Sequence, residues 1–94
     1  MYTVYILFSE KLNRFYVGYA SDLELRLDFH SNDEQTRKFT YKADDWKLFF
    51  KIECTSKQQA LLIEKHIKRM KSKTYIQNLI NYPEIIEKLK LKYP

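Results

Sequence analysis

The chain has 94 residues, 45% of them apolar and 16% aromatic, which suffices for one compact domain and falls short of two independent cores. With 31% charged residues and no apolar run near the ~20 residues of a membrane helix, the sequence argues against a membrane protein, and its aromatic content argues against a disordered one. The net charge of +5 is unevenly spread: residues 1–46 carry six Lys/Arg and eight Asp/Glu, residues 47–94 eleven and four.

The N-terminal stretch MYTVYILFSEK lacks the basic start and small-residue cleavage site of a signal peptide and reads as a strand. Residues 2–8 (YTVYILF) and 15–19 (FYVGY) are rich in β-branched and aromatic side chains, and the polar residues between them predict a β-hairpin. With its turn centred on Glu10 and Lys11, Tyr5 faces Tyr16 and Thr3 faces Gly18. Alternation then puts both tyrosines on one face of the sheet, with Val4, Ile6, Phe15 and Val17 on the other. Gly18 is the only glycine in the chain, which points to a close backbone approach or a special φ there.

Ser21-Asp22-Leu23-Glu24 is a capping box that opens a helix running to about Ser31, with Asp22, Arg26 and His30 along one stripe. Residues 31–45 read as a polar loop. WKLFFKIEC follows as a third strand, and Ser56-Lys57-Gln58-Gln59 is a second capping box, opening a helix to about Met70. Ala60, Ile63, Ile67 and Met70 are its expected core face, with Glu64 at the border of that face. Ser72 or Thr74 caps a short helix through Leu79 and Ile80, and Pro83 suits the first turn of a last helix, Glu84 to Leu91. The expected fold is α+β, a three-stranded antiparallel sheet flanked by helices in the order ββαβαα with a further C-terminal helix, forming one domain over residues 1–94.

Cys54 is the only cysteine, so an internal disulfide is excluded, a cytoplasmic setting is expected, and Cys54 itself is a packing residue. Lys65, Lys68, Arg69, Lys71 and Lys73 fall within nine residues that contain no acid. Such density attracts a polyanion, nucleic acid or a charged membrane surface, or is simply a solvated helix face.

The ordered set of Val4-Tyr5, Tyr16-Val17-Gly18, Arg26 and His30 in the following helix, and Glu64 in the later one resembles the GIY-YIG nuclease superfamily. The resemblance is strongest to small stand-alone bacterial members related to the N-terminal nuclease domain of the excinuclease, and it runs from Tyr2 to about Ile80. It implies that Arg26 is the catalytic arginine and Glu64 the metal-binding glutamate, and that His30 stands where relatives carry histidine or tyrosine. Thr3 replaces the glycine of the first tripeptide, and Tyr19 stands where some relatives have lysine. The asparagine that often follows the glutamate has two possible counterparts, Asn78 and Asn81.

Phosphodiester hydrolysis needs a proton acceptor for water, positive charge on the phosphate and stabilisation of the leaving oxygen. The resemblance implies Tyr5 or Tyr16 as the base, Arg26 with His30 as the cationic support, and Glu64 as the holder of one Mg²⁺ or Mn²⁺, a hard cation suited to one carboxylate plus waters and phosphate oxygens. It also implies nucleic acid as substrate, DNA before RNA, bound by Lys65, Lys68, Arg69, Lys71 and Lys73. A role in repair or recombination, and a protein partner for targeting, follow as expectations. Each residue has a plainer structural reading as well: strand tyrosines, an Asp22–Arg26 pair and a Glu64–Lys68 pair. An inactive nucleic-acid-binding module of the same fold is the alternative.

Overall fold

The computed structural model describes residues 2–22 and 45–94. The chain opens with strand β1 (Tyr2–Ser9), strand β2 (Arg14–Ala20) and, further on, strand β3 (Lys47–Cys54), which form an antiparallel sheet in the order β2-β1-β3. Three helices follow, α1 (Lys57–Met70), α2 (Lys73–Asn81) and α3 (Pro83–Lys92), so the fold is α+β as expected. From Leu23 on, the helix expected from Ser21 to Ser31, and the polar loop after it as far as Asp44, lie outside the described residues. Among the described residues, no helix is long and apolar enough to cross a membrane.

Local chemistry accounts for the helix starts. Ser56 Oγ accepts from the Gln59 amide at 3.1 Å, the first half of the expected capping box. The second half differs: Gln59 Oε1 accepts from the Thr55 amide at 2.9 Å, while its Nε2 donates to the Tyr93 carbonyl at 3.0 Å. Ser72 rather than Thr74 caps α2, its hydroxyl accepting from the Tyr75 amide at 3.1 Å. Pro83 occupies the first turn of α3, where its missing amide hydrogen costs nothing.

The hairpin register corrects the expected one by two residues. Tyr5 pairs with Gly18 and Leu7 with Tyr16, and Ser9 opposite Arg14 closes a four-residue loop. A two-residue turn on Glu10 and Lys11 would need positive φ at one or both of them, which their side chains disfavour. The longer loop places its positive φ of 51° on Asn13, whose short polar side chain tolerates it, and the Asn13 amide donates to the Glu10 carbonyl at 3.2 Å. Because the shift is even, the face assignment survives. Val4, Ile6 and Val17 join Ile52, Cys54, Ala60, Ile63 and Ile67 in the core beneath α1, while Tyr5, Leu7 and Ala20 cluster with Tyr16 and Trp46 on the opposite face. Cys54 is buried in that core as a packing residue, and burial pushes its thiol up. Met70, expected in the core, is 45% exposed at the last turn of α1.

Asp45 fastens the hairpin from a distant point in the chain. Its Oδ1 accepts from the buried Ser9 hydroxyl at 2.6 Å and its Oδ2 from the Lys11 amide at 3.1 Å, and Ser9 Oγ in turn accepts from the Leu12 amide at 3.2 Å. The Ser9 hydrogen bond is the main cause holding the Asp45 carboxyl below its usual range, with the Lys11 amide adding to it. A carboxylate depressed in the folded state stabilises fully above its unfolded pKa, and that contribution fades as pH falls through the lower folded value. Thermal unfolding is therefore expected to occur at lower temperature as the pH drops below about 4. Asp45→Asn should lower the neutral-pH Tm and flatten this acid limb, and an unchanged limb would assign it to other carboxylates.

Candidate active site

Tyr5 lies in the central strand with 0% exposure, and its ring rests on the opposite residue of β2. A Cβ built on Gly18 would stand 2.6 Å from Tyr5 Oη and 2.7 Å from its Cζ. The single glycine thus answers a close approach by an aromatic ring, without a positive φ. The Tyr16 ring stands 6.4 Å from Tyr5 between centroids, tilted by 34°, and 6.5 Å from Trp46 in an edge-to-face arrangement. Of the two tyrosines, Tyr5 is enclosed and Tyr16 is half-buried, and Tyr16 is among the residues that line a groove at the edge of the sheet.

That groove runs along β2, an edge strand of the sheet, against α1 and the start of α2. Its volume is about 830 Å³, and it is lined by the polar or charged residues Arg14, Tyr16, Lys68, Lys71, Ser72 and Lys73 together with the apolar Phe15, Val17, Ile67 and Ile76. No acidic side chain lines it among the described residues. The basic segment of the sequence therefore divides: Lys68, Lys71 and Lys73 line the groove, whereas Lys65 and Arg69 are exposed elsewhere on α1. Arg14 was missed by sequence reasoning. Its signal was its place two residues before Tyr16, on the same face of the strand.

Glu64 sits on α1 between the core residues Ile63 and Ile67 and is 7% exposed. Its Oε1 meets Lys68 Nζ at 2.6 Å, the i,i+4 pair that the spacing allowed. Its Oε2 is buried and has no hydrogen-bond partner among the described residues. An unsatisfied carboxylate oxygen is costly, and as a hard donor it suits Mg²⁺ or Mn²⁺, which take one or two carboxylates and complete their shell with water and phosphate. Among the described residues no group of three or more His, Cys, Asp and Glu gathers.

Arg26 and His30 lie outside the described residues. Asn78 is half-buried on α2 and its carbonyl accepts from the Tyr82 amide, while Asn81 is exposed at the end of that helix. Of the two departures from the motif, Tyr19 packs against the core beneath α1, on the face away from Tyr5 and Tyr16, and Thr3 lies between Ala20 and Glu53 on the tyrosine side. His66 is structural: its Nδ1 is 3.1 Å from the Tyr93 hydroxyl, and burial, with Lys92 and Arg69 nearby, holds its pKa down.

The family model of the GIY-YIG catalytic domain matches residues 1–78, from β1 to within α2. The chain matches none of the curated proteins and none of the solved structures it was compared with.

Proposed function

As the chain belongs to the GIY-YIG family, a nuclease-type fold whose substrates are nucleic acids, we propose that it is a metal-dependent endonuclease hydrolysing DNA phosphodiester bonds at the β2 groove. The observation that carries this reading is that Tyr16 and Lys68, the ion-pair partner of Glu64, line one groove with Arg14, Lys71 and Lys73. Four cationic residues gathered at a groove that Tyr16 also lines suit the phosphates of a nucleic-acid chain.

In this reading Tyr16 acts as the phenolate, which takes the proton from the attacking water and becomes the neutral phenol. Tyr5, enclosed and pressed on Gly18, fixes the Tyr16 ring by packing and is not itself the acceptor. Arg26, placed by its motif position, grips the scissile phosphate with its always-charged fork, and His30 supports it. Glu64 holds a single Mg²⁺ or Mn²⁺, which supplies Lewis-acid charge at the phosphate when bound. Arg14, Lys71 and Lys73 hold flanking phosphates, and Lys65 and Arg69 attract the polyanion from outside the groove. A cytoplasmic role in repair or recombination, with a protein partner to supply targeting, completes the proposal.

Nicking of supercoiled plasmid in Mg²⁺ or Mn²⁺ tests it. Tyr16→Phe and Arg26→Ala should each lower the rate by about 10²–10⁴-fold, the usual worth of a positioned proton-transfer or charge-stabilising group. Nicking that persists in both Arg26→Ala and Glu64→Ala would place the activity at another site or in a contaminant.

A further inference from the structure

Glu64 and Lys68 are one helical turn apart on α1, yet their surroundings differ sharply. The Glu64 side chain is 10% exposed and that of Lys68 51%. An ordinary surface pair at this spacing is weak because water solvates both partners. Here the carboxylate is enclosed, so a counter-cation beside it matters more. It is also only half satisfied: Lys68 Nζ is on Oε1, and Oε2 has no hydrogen-bond partner among the described residues. Lys68 meanwhile lines the groove that holds Tyr16.

We propose that Lys68 is the resident counter-cation of Glu64, that it opposes divalent-ion binding there, and that it turns to a substrate phosphate in the groove when an ion binds. This rests on the reading of Glu64 as the metal-holding residue. An ammonium and a divalent ion on one carboxylate repel each other strongly in an enclosed site, so the tethered group yields. Its four-carbon stem is flexible, and a phosphate in the groove offers it a charge-assisted hydrogen bond in exchange. Ion and polyanion then favour the same position of Lys68. By linkage each strengthens the binding of the other.

Calorimetric titration of Mn²⁺ into the full chain tests this without reference to cleavage. Lys68→Met should bind Mn²⁺ roughly three- to tenfold tighter than the unmodified chain, the factor set by losing a charge-assisted pair. Lys65→Met makes the same charge change on the same helix and should leave the affinity close to its original value. Lys68→Arg, which retains a cation, should not tighten it. A short oligonucleotide with non-hydrolysable linkages should raise Mn²⁺ affinity in the unmodified chain, and this coupling should shrink in Lys68→Met. The proposal is overturned if Glu64→Gln abolishes binding while Lys68→Met binds no tighter, or if Lys65→Met tightens it equally. Equal Mn²⁺ binding by Glu64→Gln and the unmodified chain would overturn the metal assignment of Glu64 itself, and this proposal with it.

Discussion

The Glu64→Gln variant is expected to fold as the unmodified chain does and to cleave DNA about 10²–10⁴-fold more slowly, a loss typical of removing a charge that acts on the transition state. Glutamine preserves the volume between Ile63 and Ile67, so the core beneath α1 stays filled. Oε2 has no hydrogen-bond partner among the described residues, so the substitution breaks no bond there at that atom. The ion pair with Lys68 is lost, but Lys68 is half-exposed and water can take it over. Stability and activity should therefore separate, which circular-dichroism melts beside single-turnover cleavage will show. A variant that cleaves normally would return Glu64 to the plainer reading, an i,i+4 partner of Lys68.

Gly18→Ala carries the largest expected cost to the fold. The added methyl would meet Tyr5 Oη at 2.6 Å and the ring carbon Cζ at 2.7 Å, far inside ordinary contact. Tyr5 cannot swing aside, since it is fully enclosed with Leu7 and Ala20 in the cluster that Tyr16 and Trp46 cover. Overpacking of this kind costs about 1–3 kcal/mol, and each kcal/mol lowers Tm by roughly 4–8 °C in a domain of this size. Denaturant titration checks the value. Tyr5→Phe should relieve little of the cost, because the Cζ contact remains when the hydroxyl is gone, whereas Tyr5→Leu should relieve more in a double-mutant cycle. Gly18→Ala at unmodified stability would mean that the ring does not lie over the glycine.

The strands and helices were legible because their signals are local. Alternating aromatic and β-branched residues mark β1 and β2, and the serines at 56 and 72 cap helices through bonds to amides three residues on. The register was not legible, because the loop is fixed by Asn13 and by Asp45, a carboxylate 36 residues from its Ser9 partner. The common face of Tyr5 and Tyr16 survived that error only because the slip was even. Glu64 was found by its place in the motif, and its pairing with Lys68 by helical spacing. What spacing hides is tertiary: that Arg14 joins Lys68, Lys71 and Lys73 at one groove while Lys65 and Arg69 do not. The five cations are indistinguishable in sequence, and only the way α1 lies against β2 divides them.

The most direct measurement is the rate at which the purified chain nicks supercoiled plasmid as Mg²⁺ is raised from a chelated solution, with DNA binding followed in parallel. A catalytic site at the β2 groove predicts nicked circles whose rate rises from zero and saturates with Mg²⁺. Salt-sensitive DNA binding with no cleavage at any concentration of Mg²⁺ or Mn²⁺ would contradict it, and would make the chain a nucleic-acid-binding module built on the nuclease fold.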